Sequence, residues 1–284
     1  MTGTSSKFSD LPKRIGTAVL LICILAVDFY FEEVGVAVLA VILAGLLGFE
    51  AAKMAKAATG PAVVFGATLA VAVLGIVLNA LPIFGAGVLG MIVFTMRFLP
   101  HKAGLAFLLG ILAISGLSAA FLLTAHFNVL VLILILVVTA FTDIGGYLIG
   151  RVIGGPKFAP RISPGKTWSG VIGALVLGGA ASVLSFTESG TASLVNSEIY
   201  GLSQYGLYNL LNGQAFLPIW AAISIIILVI TGDLAVSLIK RGFGAKDSSK
   251  LLPGHGGLWD RFDGFCFGVI GFWVFAAAGV TTTL

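Results

Sequence analysis

The length of its uncharged apolar runs constrains this chain more than any other feature. Val129–Thr142 carries no charged residue, and the apolar stretch around it extends from 127 to 150 with Asp143 as its one acid. A helix that crosses a bilayer needs about 20 mostly apolar residues and satisfies its backbone internally. Nine stretches approach or reach that length: 15–31, 34–54, 61–80, 81–98, 102–124, 127–150, 167–187, 214–237 and 264–282. Of the 284 residues, 58% are hydrophobic and 10% charged. A soluble domain carries roughly a quarter charged residues, so a soluble globule is excluded. The same figures exclude a disordered chain, a coiled coil and a disulfide scaffold. The expected fold is an all-α polytopic integral membrane protein with about nine transmembrane helices. It reads as one membrane domain, with N-terminal helices over 1–125 and C-terminal helices with cytoplasmic loops over 126–284. The stretches at 61–80 and 81–98 share a short break at Asn79–Pro82, and read as two spans or one re-entrant unit. The first run follows Lys13 and Arg14 as a signal peptide would. It is long for one, contains Asp28 and lacks a clean small-residue cleavage site, so it reads as a retained helix.

Basic residues fix the orientation, because Lys and Arg gather in cytoplasmic loops. With nine spans and the N-terminus inside, all 16 Lys and Arg fall on the cytoplasmic side and the C-terminus lies outside. Glu32, Glu33, His126, Glu188 and Glu198 fall outside. The net charge of +4 therefore reflects topology, and nucleic acid is not an expected partner. Cys23 and Cys266 sit in apolar stretches and read as small hydrophobes. The polar segment at 188–213 reads as a short surface connection.

Two cytoplasmic segments differ from the rest. Asp143–Trp168 and Asp233–Asp263 together hold 9 of the 16 basic residues and 5 of the 12 acidic ones. Topology requires the bases but not the acids. Asp143 and Asp233 lie inside apolar helices near their ends, where an ionisable residue is costly and marks function. Asp28 and Glu50, nearer segment ends, read as interface residues. Asp233, Ser237 and Lys240 or Arg241 share a helix face by their spacing. The helix then stops at Gly242–Gly244. Asp260 and Asp263 share a face at i, i+3. Carboxylates suit Mg²⁺, which takes a few of them together with phosphate oxygens. Lys, Arg and glycine amides suit phosphates. Both sets together suit phosphoryl or nucleotidyl transfer at the inner leaflet. Gly165-Lys166-Thr167 imitates the end of a P-loop, but the first glycine of that motif is replaced by Pro160. Trp168 and Trp259 read as interfacial anchors rather than base-stacking platforms. The GxxxG spacing of Gly146 and Gly150 reads as helix packing.

The run Ser237-Leu-Ile-Lys240-Arg241, then Lys246-Asp247, then His255-Gly256-Gly257-Leu-Trp-Asp260-Arg261-Phe-Asp263 resembles the signature of the phosphatidate cytidylyltransferase family, the CDP-diacylglycerol synthases. Asp143-Ile-Gly-Gly-Tyr147-x3-Arg151 and Ile162-Ser-Pro-x-Lys166-Thr167-Trp168-x-Gly170 resemble its second region, while the first 125 residues match only in hydropathy. The resemblance implies transfer of a cytidylyl group from CTP to phosphatidate, giving CDP-diacylglycerol and pyrophosphate. It also implies Mg²⁺ dependence with a possible second cation, a homodimer, and an active site facing the cytoplasm at a bacterial inner membrane. Its metal carboxylates map onto Asp233 and Asp260, with Asp263, Asp247 and Asp143 nearby. The lipid phosphate attacks the α-phosphorus in line. Lys240, Arg241, Lys246 and Arg261 neutralise phosphates. Lys166, Arg161 and Thr167 reach them from the neighbouring loop, and Gly256 and Gly257 offer amides. Ser237 joins this substrate-binding set. His255 either protonates pyrophosphate or holds the loop. A CTP-dependent lipid kinase is the nearest alternative reaction. A secondary transporter of an anionic metabolite is disfavoured, because its charges belong near the midplane.

Overall fold

The computed structural model describes residues 11–99, 103–126, 129–185, 216–249, 251–252 and 256–280. It is mostly helical: α1 Leu11–Met54, α2 Thr59–Val77, α3 Leu81–Phe98, α4 Ala103–His126, α5 Val129–Val152, α6 Trp168–Ser185, α7 Phe216–Gly242 and α8 Trp259–Val280. Six helices among the described residues are long and apolar enough to cross a membrane, drawn from α1 to α5 and α7; the apolar part of α6 is shorter. The expected spans beyond 54 coincide with these helices within a few residues, save that α7 runs on to Gly242 and α8 starts at Trp259. The connection at 188–213 lies outside the described residues.

The two spans expected at 15–31 and 34–54 are instead one uninterrupted helix of 44 residues, about 66 Å at 1.5 Å per residue. Phe31-Glu-Glu-Val34 contains no glycine, proline or asparagine. Two glutamates interrupt hydropathy without breaking a helix. By contrast, α2 and α3 are separate helices. Asn79 between them takes a left-handed φ of 49°, which asparagine tolerates, and a proline sits at the start of α3.

The chain divides into two packed units. The first comprises Met1–Phe121 and Ile239–Phe262, so all of the signature segment but its ends, Ser237 and Asp263, belongs with the N-terminal helices. Its buried residues include Ala44, Leu47 and Ala51 of α1 against Phe65 and Leu69 of α2. Gly48 and Gly66 let those helices approach: a Cβ on Gly48 would come within 2.9 Å of Gly66 Cα. Val34, Val38, Ile42 and Leu46, four residues apart on α1, are exposed. An apolar outer stripe of this kind suits lipid as the surrounding solvent.

The second unit comprises Leu122–Leu238 and Asp263–Leu284. Here α5 and α6 pack through small residues, with Gly146 beside Gly170 and Ala174, as the GxxxG spacing anticipates. Between them lies a departure from an all-α fold, an antiparallel hairpin of β1 (Lys157–Ala159) and β2 (Ser163–Thr167). Pro164 and Gly165 make β2 read as loop in sequence. Lys157 pairs with Thr167 and Ala159 with Ser163, so β2 bulges over Pro164–Lys166.

Candidate active site

In the second unit, α5, the hairpin, α6 and α7 surround a cavity of about 570 Å³, a size that suits a small-molecule site. Asp143, Tyr147 and Arg151 reach it from α5 at i, i+4 and i+8, one helix face. The hairpin adds Lys157, Ser163, Gly165 and Lys166, and α7 adds Asp233. Two carboxylates and three cations thus share one cavity with Gly146, Gly150, Gly154, Gly155 and Gly170. Gly154 and Gly155 take positive φ of 66° and 104°, where a side chain would be strained.

Lys166 Nζ lies 2.6 Å from Asp233 Oδ2, with both side chains partly open. Ser237 Oγ donates to Asp233 Oδ1 at 3.3 Å, which places Ser237 and Asp233 on one face as their spacing predicts. Arg151 donates to Tyr147 Oη, and its guanidinium lies 5.7 Å from that ring's centroid. Thr167 is buried and caps α6: its Oγ1 accepts the Gly170 N–H at 3.1 Å and pairs with Ser169 Oγ at 2.9 Å. Arg161 is exposed outside the cavity lining. Trp168 is also exposed, edge-on to Phe158 at 4.8 Å.

The signature residues of the first unit, within Ile239–Phe262, fold around Asp260. Its Oδ1 accepts Lys240 Nζ at 2.7 Å. Its Oδ2 accepts the N–H groups of Gly257 at 2.9 Å and Ser248 at 3.0 Å, and Ser248 Oγ at 3.1 Å. Burial alone raises this carboxyl's pKa. Hydrogen bonding from Lys240, the Gly257 N–H, the Lys240 charge and the Ser248 N–H outweigh that and hold it below the ordinary value of 3.8. The Gly257 amide, expected on phosphate, therefore points at Asp260. Gly256 carries a positive φ of 86° in the turn. Arg241, Lys246, Asp247 and Arg261 are exposed, and Arg241 donates to the Ala245 carbonyl at 3.4 Å. Asp263, in the second unit, accepts the Gly264 N–H at 2.8 Å. His255 lies outside the described residues.

Two sequence expectations are corrected here. Trp259 is no interfacial anchor: it is fully buried, and its indole N–H donates to the Leu47 carbonyl at 2.9 Å. Glu50 is no interface residue: it is 1% exposed and accepts the N–H groups of Leu258 and Trp259 at 2.9 and 2.8 Å. Arg151 and Lys157, absent from the expected site, line the cavity. For Arg151 the helical spacing from Asp143 carried the signal; for Lys157 the hairpin register decides, and no local pattern shows it.

Asp143 and Asp233 are the cavity's carboxylate donors for a hard cation such as Mg²⁺. No three His, Cys, Asp or Glu gather as an all-protein cage among the described residues. Mg²⁺ is characteristically held by one or two carboxylates plus substrate phosphates; Asp143 and Asp233 are the two carboxylates of the cavity, and its three cations suit the phosphates.

Residues 12–278 match the Cytidylyltransferase family. A phosphatidate cytidylyltransferase of Brucella suis biovar 1 (strain 1330) is 47% identical over 123 residues, 43% of this chain and 38% of that protein. One of Mycobacterium leprae (strain TN) is 39% identical over 126 residues, 43% of this chain and 33% of that protein. One of Helicobacter pylori (strain ATCC 700392 / 26695) is 35% identical over 157 residues, 55% of this chain and 50% of that protein. The chain thus spans between a third and a half of the length of these relatives. With the match running through nearly all its helices, the chain belongs to the Cytidylyltransferase family.

Proposed function

We propose that this protein transfers a cytidylyl group from CTP to phosphatidate, releasing pyrophosphate and leaving CDP-diacylglycerol in the membrane. The observation that carries this reading is the cavity in which Asp143 and Asp233 face Arg151, Lys157 and Lys166. Nucleotidyl transfer to a phosphate needs such a mixture, since both substrates are polyanions and charge moves onto the departing pyrophosphate. The family membership and the names of the relatives support the same reaction.

In this reading Lys166, Arg151 and Lys157 take phosphate oxygens and set the lipid phosphate in line with the α-phosphorus. Asp143 and Asp233 would hold Mg²⁺, which would supply charge neutralisation on the transferring group and the leaving oxygen. The phosphatidate phosphate is already anionic, so no strong general base is required of the chain. The glycine backbone around 154–155 lets a phosphate approach closely. In the same reading Asp260 is a further metal carboxylate with Asp263 and Asp247, Lys240 neutralises phosphate, and His255 either protonates pyrophosphate or holds the loop. The thirteen basic residues from Lys53 onward support a cytoplasmic side for the loops after α1, α3, α5 and α7. CTP would then enter from the cytoplasm, phosphatidate from the inner leaflet, and the resemblance supports a homodimer.

The test uses purified protein in detergent with phosphatidate, Mg²⁺ and CTP labelled separately at the α- and γ-phosphates. The expected result is α-label in lipid and γ-label in pyrophosphate. γ-Label in the lipid would replace this reading with a lipid kinase.

A further inference from the structure

We propose that Glu50, in the last turns of α1, is a positioning residue: its carboxylate fixes the Gly257–Asp260 segment and so the orientation of Asp260 and Lys240. The catalytic half of this inference rests on the reaction proposed above, with Asp260 read as a metal carboxylate and Lys240 as a phosphate partner. A helix begins with N–H groups that have no partner inside it, and a local side chain ordinarily caps them. The start of α8 is capped from 208 and 209 residues away. Glu50 Oε1 accepts the Leu258 N–H at 2.9 Å and the Ser249 hydroxyl, and Oε2 accepts the Trp259 N–H at 2.8 Å. One turn earlier on α1, Leu47 accepts the Trp259 indole N–H at 2.9 Å. Two successive turns of α1 therefore grip one turn of α8.

The burial of Glu50 shows that the grip is specific. A carboxylate that is 1% exposed is unfavourable unless its charge is compensated. Among the described residues no lysine or arginine forms a salt bridge with it, and the positive end of α8 supplies the compensation. Gly257 lies in the gap. A side chain there would run into Glu50 Oε1 and Ser248 Oγ, so the second glycine of the His-Gly-Gly run is the residue that lets both carboxylates close. Asp260 takes the 257 amide and Glu50 takes the 258 and 259 amides. Releasing Glu50 would free the two amides next to the one that orients Asp260.

The experiment compares the full chain with Glu50→Gln, reading backbone hydrogen exchange and cytidylyl transfer. Glutamine keeps the shape but turns an N–H₂ group toward amide donors. Exchange at Leu258 and Trp259 should rise about tenfold or more, with α2 and α5 unchanged. The kcat should fall about tenfold or more while KM for CTP stays within about twofold. A packing role alone would lower stability without that split. Trp259→Phe, which removes the tie to Leu47 together with part of a buried ring, should shift exchange and kcat in the same directions; Glu50→Asp, which keeps the charge but shortens its reach, serves beside it if the first variant fails to fold. Unchanged exchange, or faster exchange with kcat within about twofold of wild type, would overturn the proposal. If wild type puts no α-label into lipid, the proposed reaction falls by itself. Exchange then decides alone whether Glu50 fixes the segment.

Discussion

Two carboxylate–lysine pairs of nearly equal length have different consequences. Lys166 and Asp233, 2.6 Å apart, retain 27% and 30% side-chain exposure, so their pairing contributes up to about 1 kcal/mol. Asp233→Asn should therefore melt near wild type and lose about a hundredfold or more in turnover, read by thermal melts beside the labelled-CTP assay. Lys240 and Asp260, 2.7 Å apart, are only 8% and 15% exposed. Asp260→Asn removes the charge facing a largely buried ammonium and should cost about 3 kcal/mol of stability as well as turnover. The pH dependence follows. The Asp260 carboxyl is held below 3.8 in the folded protein, so its contribution is full above that value and lost as pH falls through the lowered one. Melting temperature should drop in that acid window for wild type, and the drop should be smaller in Asp260→Asn.

At the scale of elements, the cavity exists because α5 and α6 approach closely. A Cβ at Gly173 would strike the Gly145 carbonyl and the Ile149 side chain, whereas one at Gly179 on the same helix meets nothing within 4 Å. Gly173→Ala should destabilise by about 1–3 kcal/mol and lower activity by prising the cavity walls apart. Gly179→Ala should melt at or above wild type, since alanine favours a helix over glycine by up to about 1 kcal/mol. Melting curves of the pair in one detergent decide this. The spans after residue 54 were legible because 18 or more apolar residues in a row have one stable state in lipid. The unity of α1 was not, because hydropathy records the two glutamates at 32–33 and says nothing of whether the helix continues through them. The hairpin was illegible for a related reason: its strands have three and five residues, and what defines them is each other.

For the molecule as a whole, the apolar outer stripe of α1 and the basic loops define a membrane protein with sides. In a background without native cysteines, Ala58→Cys before α2 should react with an impermeant reagent only from the cytoplasm. Leu78→Cys after it should react only from outside. Reaction of both from one side would remove α2 as a crossing and with it the side assigned to the later loops. The same labelling at Ser5→Cys separates one crossing by α1 from two: reaction from outside means one, and from the cytoplasm two.

The sequence alone determined the solvent, most of the helices and the family, because apolar length and a run of specified residues are local properties. It also marked Asp143 and Asp233, since charges inside apolar helices are costly wherever they stand, and Lys166 through the family resemblance. Tertiary structure decided the rest. It drew Arg151 and Lys157 into a cavity with those residues, turned Asp260 toward Lys240, and buried Trp259 and Glu50 against each other's helices. Those outcomes depend on contacts across up to 212 residues, where burial and hydrogen-bond geometry, not spacing, set what a side chain does.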